Sequence, residues 1–131
     1  MQTVWVNKEW LGVKDIFNEL VREIKEIGKS SPEQFDITVV DSENGYTLSL
    51  WGYKLELSCR IIVKDQTPLG LFECKLADET IFSFIFEGHY GEVISDNSQD
   101  GIQFNCDLRQ KNANHKVLKA ISQSLIKLIR I

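Results

Sequence analysis

FDITVVDSENGYTLSLWGYKLELSCRIIV, residues 35–63, decides the fold. Phe35, Ile37 and Val39 alternate with polar or small residues, and Tyr46, Leu48 and Leu50 do the same on the far side of Asn44-Gly45. Tyr53, Leu55, Leu57, Cys59, Ile61 and Val63 continue the alternation after Gly52. A period of two marks strands with one buried face. Asn and Gly both tolerate positive φ, so Asn44-Gly45 predicts a type I′ hairpin turn. Three consecutive antiparallel strands follow from this stretch alone.

Downstream, Lys64 to Pro68 reads as a loop, with Gly70 close behind. Phe72, Cys74 and Leu76 define a fourth strand, Ala77-Asp78-Glu79 a tight connection, and Ile81 to Phe86 a fifth strand. Gly88-His89-Tyr90-Gly91 interrupts the pattern, Glu92-Val93-Ile94 prolongs the sheet, and residues 96–101 form a polar loop. Ile102, Phe104, Cys106 and Leu108 alternate as a sixth strand.

Helices flank these strands. Val13, Ile16, Phe17, Leu20, Val21, Ile24 and Ile27 repeat at helical spacing and predict a helix over 9–28. Asn7 is placed to cap it, Gly28 to end it, and Thr3-Val4-Trp5-Val6 reads as a short strand before it. Val117, Leu118, Ile121, Leu125, Leu128 and Ile129 predict a last helix over 114–130. No linker or repeat divides the chain. The reading is a single α+β domain over 1–131, with about six antiparallel strands in a meander between an N-terminal and a C-terminal helix.

That element order resembles the helix-grip fold of the plant-allergen and lipid-transfer superfamily. The likeness lies in the order of elements and in no motif. It implies a curved sheet around the final helix, with room for a ligand between them.

Composition narrows the function classes. No stretch approaches the ~20 apolar residues that span a bilayer, and the N-terminus lacks the pattern of a secretory signal. Cys59, Cys74 and Cys106 are odd in number and widely spaced, which points to a reducing, cytoplasmic setting. Residues 1–107 carry nine Lys/Arg against nineteen Asp/Glu, whereas residues 108–131 carry six Lys/Arg and no acid. The plain expectation is a basic last helix lying against an acidic body. Such a body disfavours nucleic acid as the main partner.

Candidate chemistry is sparse. The cysteines share the phase of their apolar neighbours and are expected in the core, reduced and without metal, since the local pairs of zinc sites are absent. His89 beside Glu87 or Glu92 offers the elements of a general base, and His115 reads as a solvated or capping residue. No calcium loop, phosphate loop, nucleophile elbow or dinucleotide fingerprint occurs, and no cofactor is implied. Lys116, Lys119, Lys127 and Arg130 are basic without interleaved aromatics, and the helix dipole accounts for Lys127 and Arg130.

The second phase of the sheet is unusually apolar. Phe82, Phe84 and Phe86 fill one face of the fifth strand and Ile81 and Ile85 the other, with Trp51, Ile62 and Leu71 joining according to register. Either a helix covers each face or one face meets a partner, a second copy included.

Three function classes follow. The first is a non-catalytic inhibitor that occludes a basic protein, in the manner of a toxin's immunity protein or a phage-encoded inhibitor. Its contacts would be loop acids: Asp41, Glu43, Asp78, Glu79, Asp96 and Asp100. The second is a small-molecule binder with a cavity between sheet and helix. The third is an enzyme built on His89 and nearby carboxylates.

Overall fold

Six strands pair in sequence order, every neighbour antiparallel: β1 (Ile37–Ser42), β2 (Gly45–Leu50), β3 (Tyr53–Lys64), β4 (Thr67–Leu76), β5 (Glu79–Phe86) and β6 (Val93–Asp96). Helix α1 (Thr3–Ser30) precedes them and α2 (Ala113–Ile129) follows. The computed structural model describes residues 3–30, 36–98 and 104–130. The expected α+β meander with two terminal helices is the observed architecture. No helix among the described residues is long and apolar enough to cross a membrane.

Both helices pack on the same face. Val13, Ile16, Phe17, Leu20 and Ile24 of α1 and Val117, Leu118, Ile121 and Leu125 of α2 share one core with Leu48, Leu55, Leu57, Phe72, Phe84 and Phe86. Helix α1 lies across β1, β3 and β4, while α2 packs on β5 and against α1. The two helices thus lie over one side of the sheet, and the last helix is not enclosed by the strands alone. Aromatic rings fix the centre: Phe72 stacks on Phe84 at 4.7 Å between centroids and meets Phe17 of α1 edge-on at 5.9 Å.

Several local expectations are corrected. Thr3–Val6 is helical, not a strand, and Asn7 is an interior residue of α1 rather than its cap. A formed helix gains one hydrogen bond per added residue. The helix penalty of Thr or Val is only about 0.7 kcal/mol or less each, so propagation wins. Gly28 does not end the helix, which continues to Ser30. A Cβ there would lie 2.7 Å from the Ile37 carbonyl oxygen, so glycine lets α1 approach β1.

The first hairpin turns one residue earlier than expected. Ser42 pairs with Gly45, leaving Glu43-Asn44 as the turn. Gly45 begins β2, where a Cβ would stand 2.1 Å from the Leu57 carbonyl oxygen of β3. Positive φ at both positions of a two-residue turn occurs instead at Trp51-Gly52 (52° and 86°) and at Asp65-Gln66 (51° and 64°). The expected loop at 64–68 shrinks to that second turn, and Pro68 enters β4 beyond Gly70, the last residue of β4 paired with β5.

The sixth strand is Val93–Asp96, not 102–108. Residues 104–108 instead run alongside it through one Glu92–Asp107 bridge. Val93 N–H donates to the Cys106 carbonyl at 3.0 Å and Leu108 N–H to the Gly91 carbonyl at 2.8 Å. The apolar alternation there reflects Cys106 and Leu108 turning into the core without a regular ladder. Phe35 and Ile102 lie outside the described residues.

Candidate functional site

Helices on one face leave the other face of the sheet uncovered by either of them. Ile62, Leu69, Leu71 and Ile85 share its phase, since Ile62 pairs with Leu69 and Leu71 with Ile85. Leu69 is buried yet lies outside the main core cluster. Apart from exposed Val40 on β1, the rest of the face on β1 to β4 is mostly polar. Arg60 meets Glu73 at 3.5 Å, and Thr47 and Ser42 donate hydrogen bonds to Glu56. Lys54, Arg60, Lys64 and Lys75 outnumber Glu56 and Glu73 here, so the acids needed for a basic partner must lie on the rims.

Those rims hold most of the expected contacts, though not together. Glu43 is exposed in the β1–β2 turn, and Asp41 on β1 lines a groove with Asp15 and Glu19 of α1. Asp78 and Glu79 are exposed at the opposite end of the strands, in and just after the β4–β5 turn. Asp96 is not a projecting acid. Its carboxylate accepts the backbone N–H groups of Ser98 at 2.8 Å and Phe104 at 2.7 Å and so organises its own loop. Asp100 lies outside the described residues.

A feature that charge counting missed stands at one end of the sheet. Tyr53 opens β3 at the end of the sheet where the β4–β5 turn holds Asp78. Next to Tyr53 is Trp51, 41% exposed and held in the left-handed region at φ 52°. A bulky side chain is strained there, at a cost of about 1–2 kcal/mol that Gly or Asn largely avoids. The sequence signal was Gly52, which marks a turn or kink between two alternating runs, with Trp51 beside it counted only toward the second apolar phase.

The histidine constellation is built otherwise than the sequence suggests. The Glu87 carboxylate accepts the backbone N–H groups of His89, Tyr90 and Glu92 and closes the 88–91 turn. Desolvation pushes the Glu87 pKa up, but the amides of His89, Tyr90, Glu92 and Gly91 together hold it below its ordinary value. Its oxygens are therefore engaged by the main chain and do not face the imidazole. The His89 ring lies 3.4 Å from Glu9 of α1 instead, and Arg109 donates to the His89 carbonyl at 2.8 Å while reaching Asp15 at 3.8 Å. This set pins α1 to the sheet end. His115 is exposed, and its backbone N–H donates to Asn114 Oδ1.

All three cysteines are free thiols. Cys74 and Cys106 are buried, while Cys59 is only half-buried, a departure from the expected full burial. Desolvation pushes the thiols of Cys59 and Cys74 up to about 12 and raises that of Cys106. A thiol that keeps its proton is a poor nucleophile and metal ligand. Among the described residues no group of three or more His, Cys, Asp or Glu is placed to hold a metal ion.

The basic last helix shares a cleft with the acids Glu79 and Asp96 but, among the described residues, is not tied to the acidic body by ion pairs. No ion pair links Lys116, Lys119, Lys127 or Arg130 to another described residue. No protein-family model matches the chain, and no characterised protein or solved structure does either.

Proposed function

We propose that this chain is a binding protein that occludes a basic protein partner, as a toxin's immunity protein or a phage-encoded inhibitor does. The observation that carries the reading is the Trp51-Gly52 turn. A strained, exposed indole stands two residues before Tyr53, at the end of the sheet that also holds Asp78 and Glu79. Backbone strain concentrates at functional sites. Tryptophan dominates binding hot spots, and acids around such an anchor speed the approach of a cationic surface. The half-buried Ile62, Leu71 and Ile85, in phase with buried Leu69, lie along β3–β5 on the face that neither helix covers, and a second copy of the chain is the competing occupant of that face.

The test uses Trp51→Asn, which removes the ring and relaxes the turn. Immobilised wild-type chain captures its partner from the native host, and titration calorimetry then compares variants with that partner. Trp51→Asn should weaken binding by about tenfold or more while stability rises by about 1 kcal/mol. Reversing Asp78 and Glu79 to lysine should slow association at low salt and leave folding unchanged. Unaltered affinity in both variants would discard the reading.

A further inference from the structure

A second site stands apart from the Trp51 turn. Strand β6 pairs with β5 only from Phe84 onward, so Glu79 to Phe82 have no partner in β6. Helix α2 runs past this stretch and leaves a cleft of about 680 Å³, within the ~300–1,000 Å³ range of small-ligand sites.

The helical wall of the cleft is one stripe. Lys116, Lys119, Gln123 and Lys127 follow the i, i+3, i+7, i+11 spacing that puts side chains on one side of a helix, and all four line the cleft. The floor is apolar, formed by Ile81, Phe82, Phe104 and Leu128, with Phe82 and Phe104 edge-on at 5.4 Å.

None of the three lysines forms an ion pair with a described residue. Lys116 and Lys119 lie in the first two turns of α2, where the helix dipole disfavours positive charge. Two carboxylates also line the cleft. Asp96 is committed to the amides of Ser98 and Phe104, and Glu79 is exposed at the start of β5.

We propose that this cleft binds a small amphipathic anion, its carboxylate or phosphate head held by Lys116 and Lys119, one turn apart on α2, and its apolar body laid across Phe104 and Leu128 toward Lys127. Lysine binds such heads as a compact point charge, without the planar demand of arginine. Glu79 borders both this cleft and the end of the sheet that carries Trp51, but Trp51→Asn and the lysine substitutions alter different side chains, so either proposal can fail alone.

The test titrates the purified full chain with decanoate, decyl phosphate and decanol, followed by backbone amide chemical shifts. Saturable one-site binding of the two anions is expected, with shifts concentrated in 116–128 and 79–82. Decanol, with the same body and no charge, should bind at least about tenfold more weakly. The K116Q/K119Q/K127Q variant should lose about tenfold in affinity for both anions, and E79Q should gain a few-fold as a competing charge leaves the cleft. The ratio of decyl phosphate to decanoate affinity identifies the preferred head. Absence of saturable binding up to about 1 mM, wild-type affinity in the lysine variant, equal affinity for decanol, or shifts centred on the uncovered sheet face would each overturn the assignment.

Discussion

At the scale of single residues, Glu87 shows how a carboxylate that looks catalytic in sequence can be structural. Each backbone amide it accepts favours its charged form, so its folded pKa lies below the ordinary 4.5. The stabilisation is present above that ordinary value and is lost as pH falls through the folded value. Glu87→Gln should therefore cost about 1 kcal/mol near neutral pH. The gap to wild type should close well below pH 4.5, as urea midpoints at the two pH values would show. The cysteines are graded in the same way by their surroundings. Cys59 keeps partial exposure and should react first with a thiol reagent, but slowly, because its proton is held to about pH 12. Cys74 and Cys106 should label only in denaturant, and mass spectrometry of timed alkylation would check the order.

At the scale of elements, the sequence is clearest where a hydrophobic period meets a core. The α1 stripe from Val13 to Ile27 is fully buried as spaced, and the α2 stripe is buried from Val117 to Leu125, whereas Leu128 at its end is exposed and Ile129 only half-buried. Turn chemistry misled where a glycine serves a distant contact. Asn44-Gly45 is the strongest local hairpin signal in the chain, yet Gly45 sits in β2 because the Leu57 carbonyl leaves no room for a Cβ. Gly45→Ala should then destabilise the protein by about 2 kcal/mol or more, while Asn44→Ala should change little; thermal unfolding of the pair separates the two roles. Element order allowed for a cavity between the sheet and the last helix, but the place and lining of the cleft were not legible. Both depend on where β6 stops and on the line α2 takes past β5, and neither is encoded in local periodicity. The unusual apolar second phase was legible, but which face the helices would choose was not.

At the scale of the whole molecule, charge and packing divide differently. The acids of α1 (Glu9, Asp15, Glu19, Glu23, Glu26) are matched by Lys8, Lys14, Arg22, Lys25 and Lys29, so the acidic excess belongs to the sheet region and the basic excess to α2 and the segment before it. Packing is centralised on Phe72, which contacts the rings of Phe17, Phe82 and Phe84 and so ties α1 to the middle of the sheet. Phe72→Ala should cost about 3–5 kcal/mol, the range for a fully buried aromatic, measured by chemical denaturation. The same substitution at exposed Tyr90 should cost under about 0.5 kcal/mol.

Strand order that equals chain order has a mechanical consequence. Every seam in the sheet joins two strands linked by the chain itself, and the turns between β1 and β5 are two residues long. A pull applied across the sheet from β1 to β6 therefore loads the hydrogen bonds one rung after another, as a zip is opened, and never all at once in shear. Resistance comes from α1, which straddles β1, β3 and β4 and leans on α2. The helix acts as the clasp: once it lifts, the hairpins release in succession.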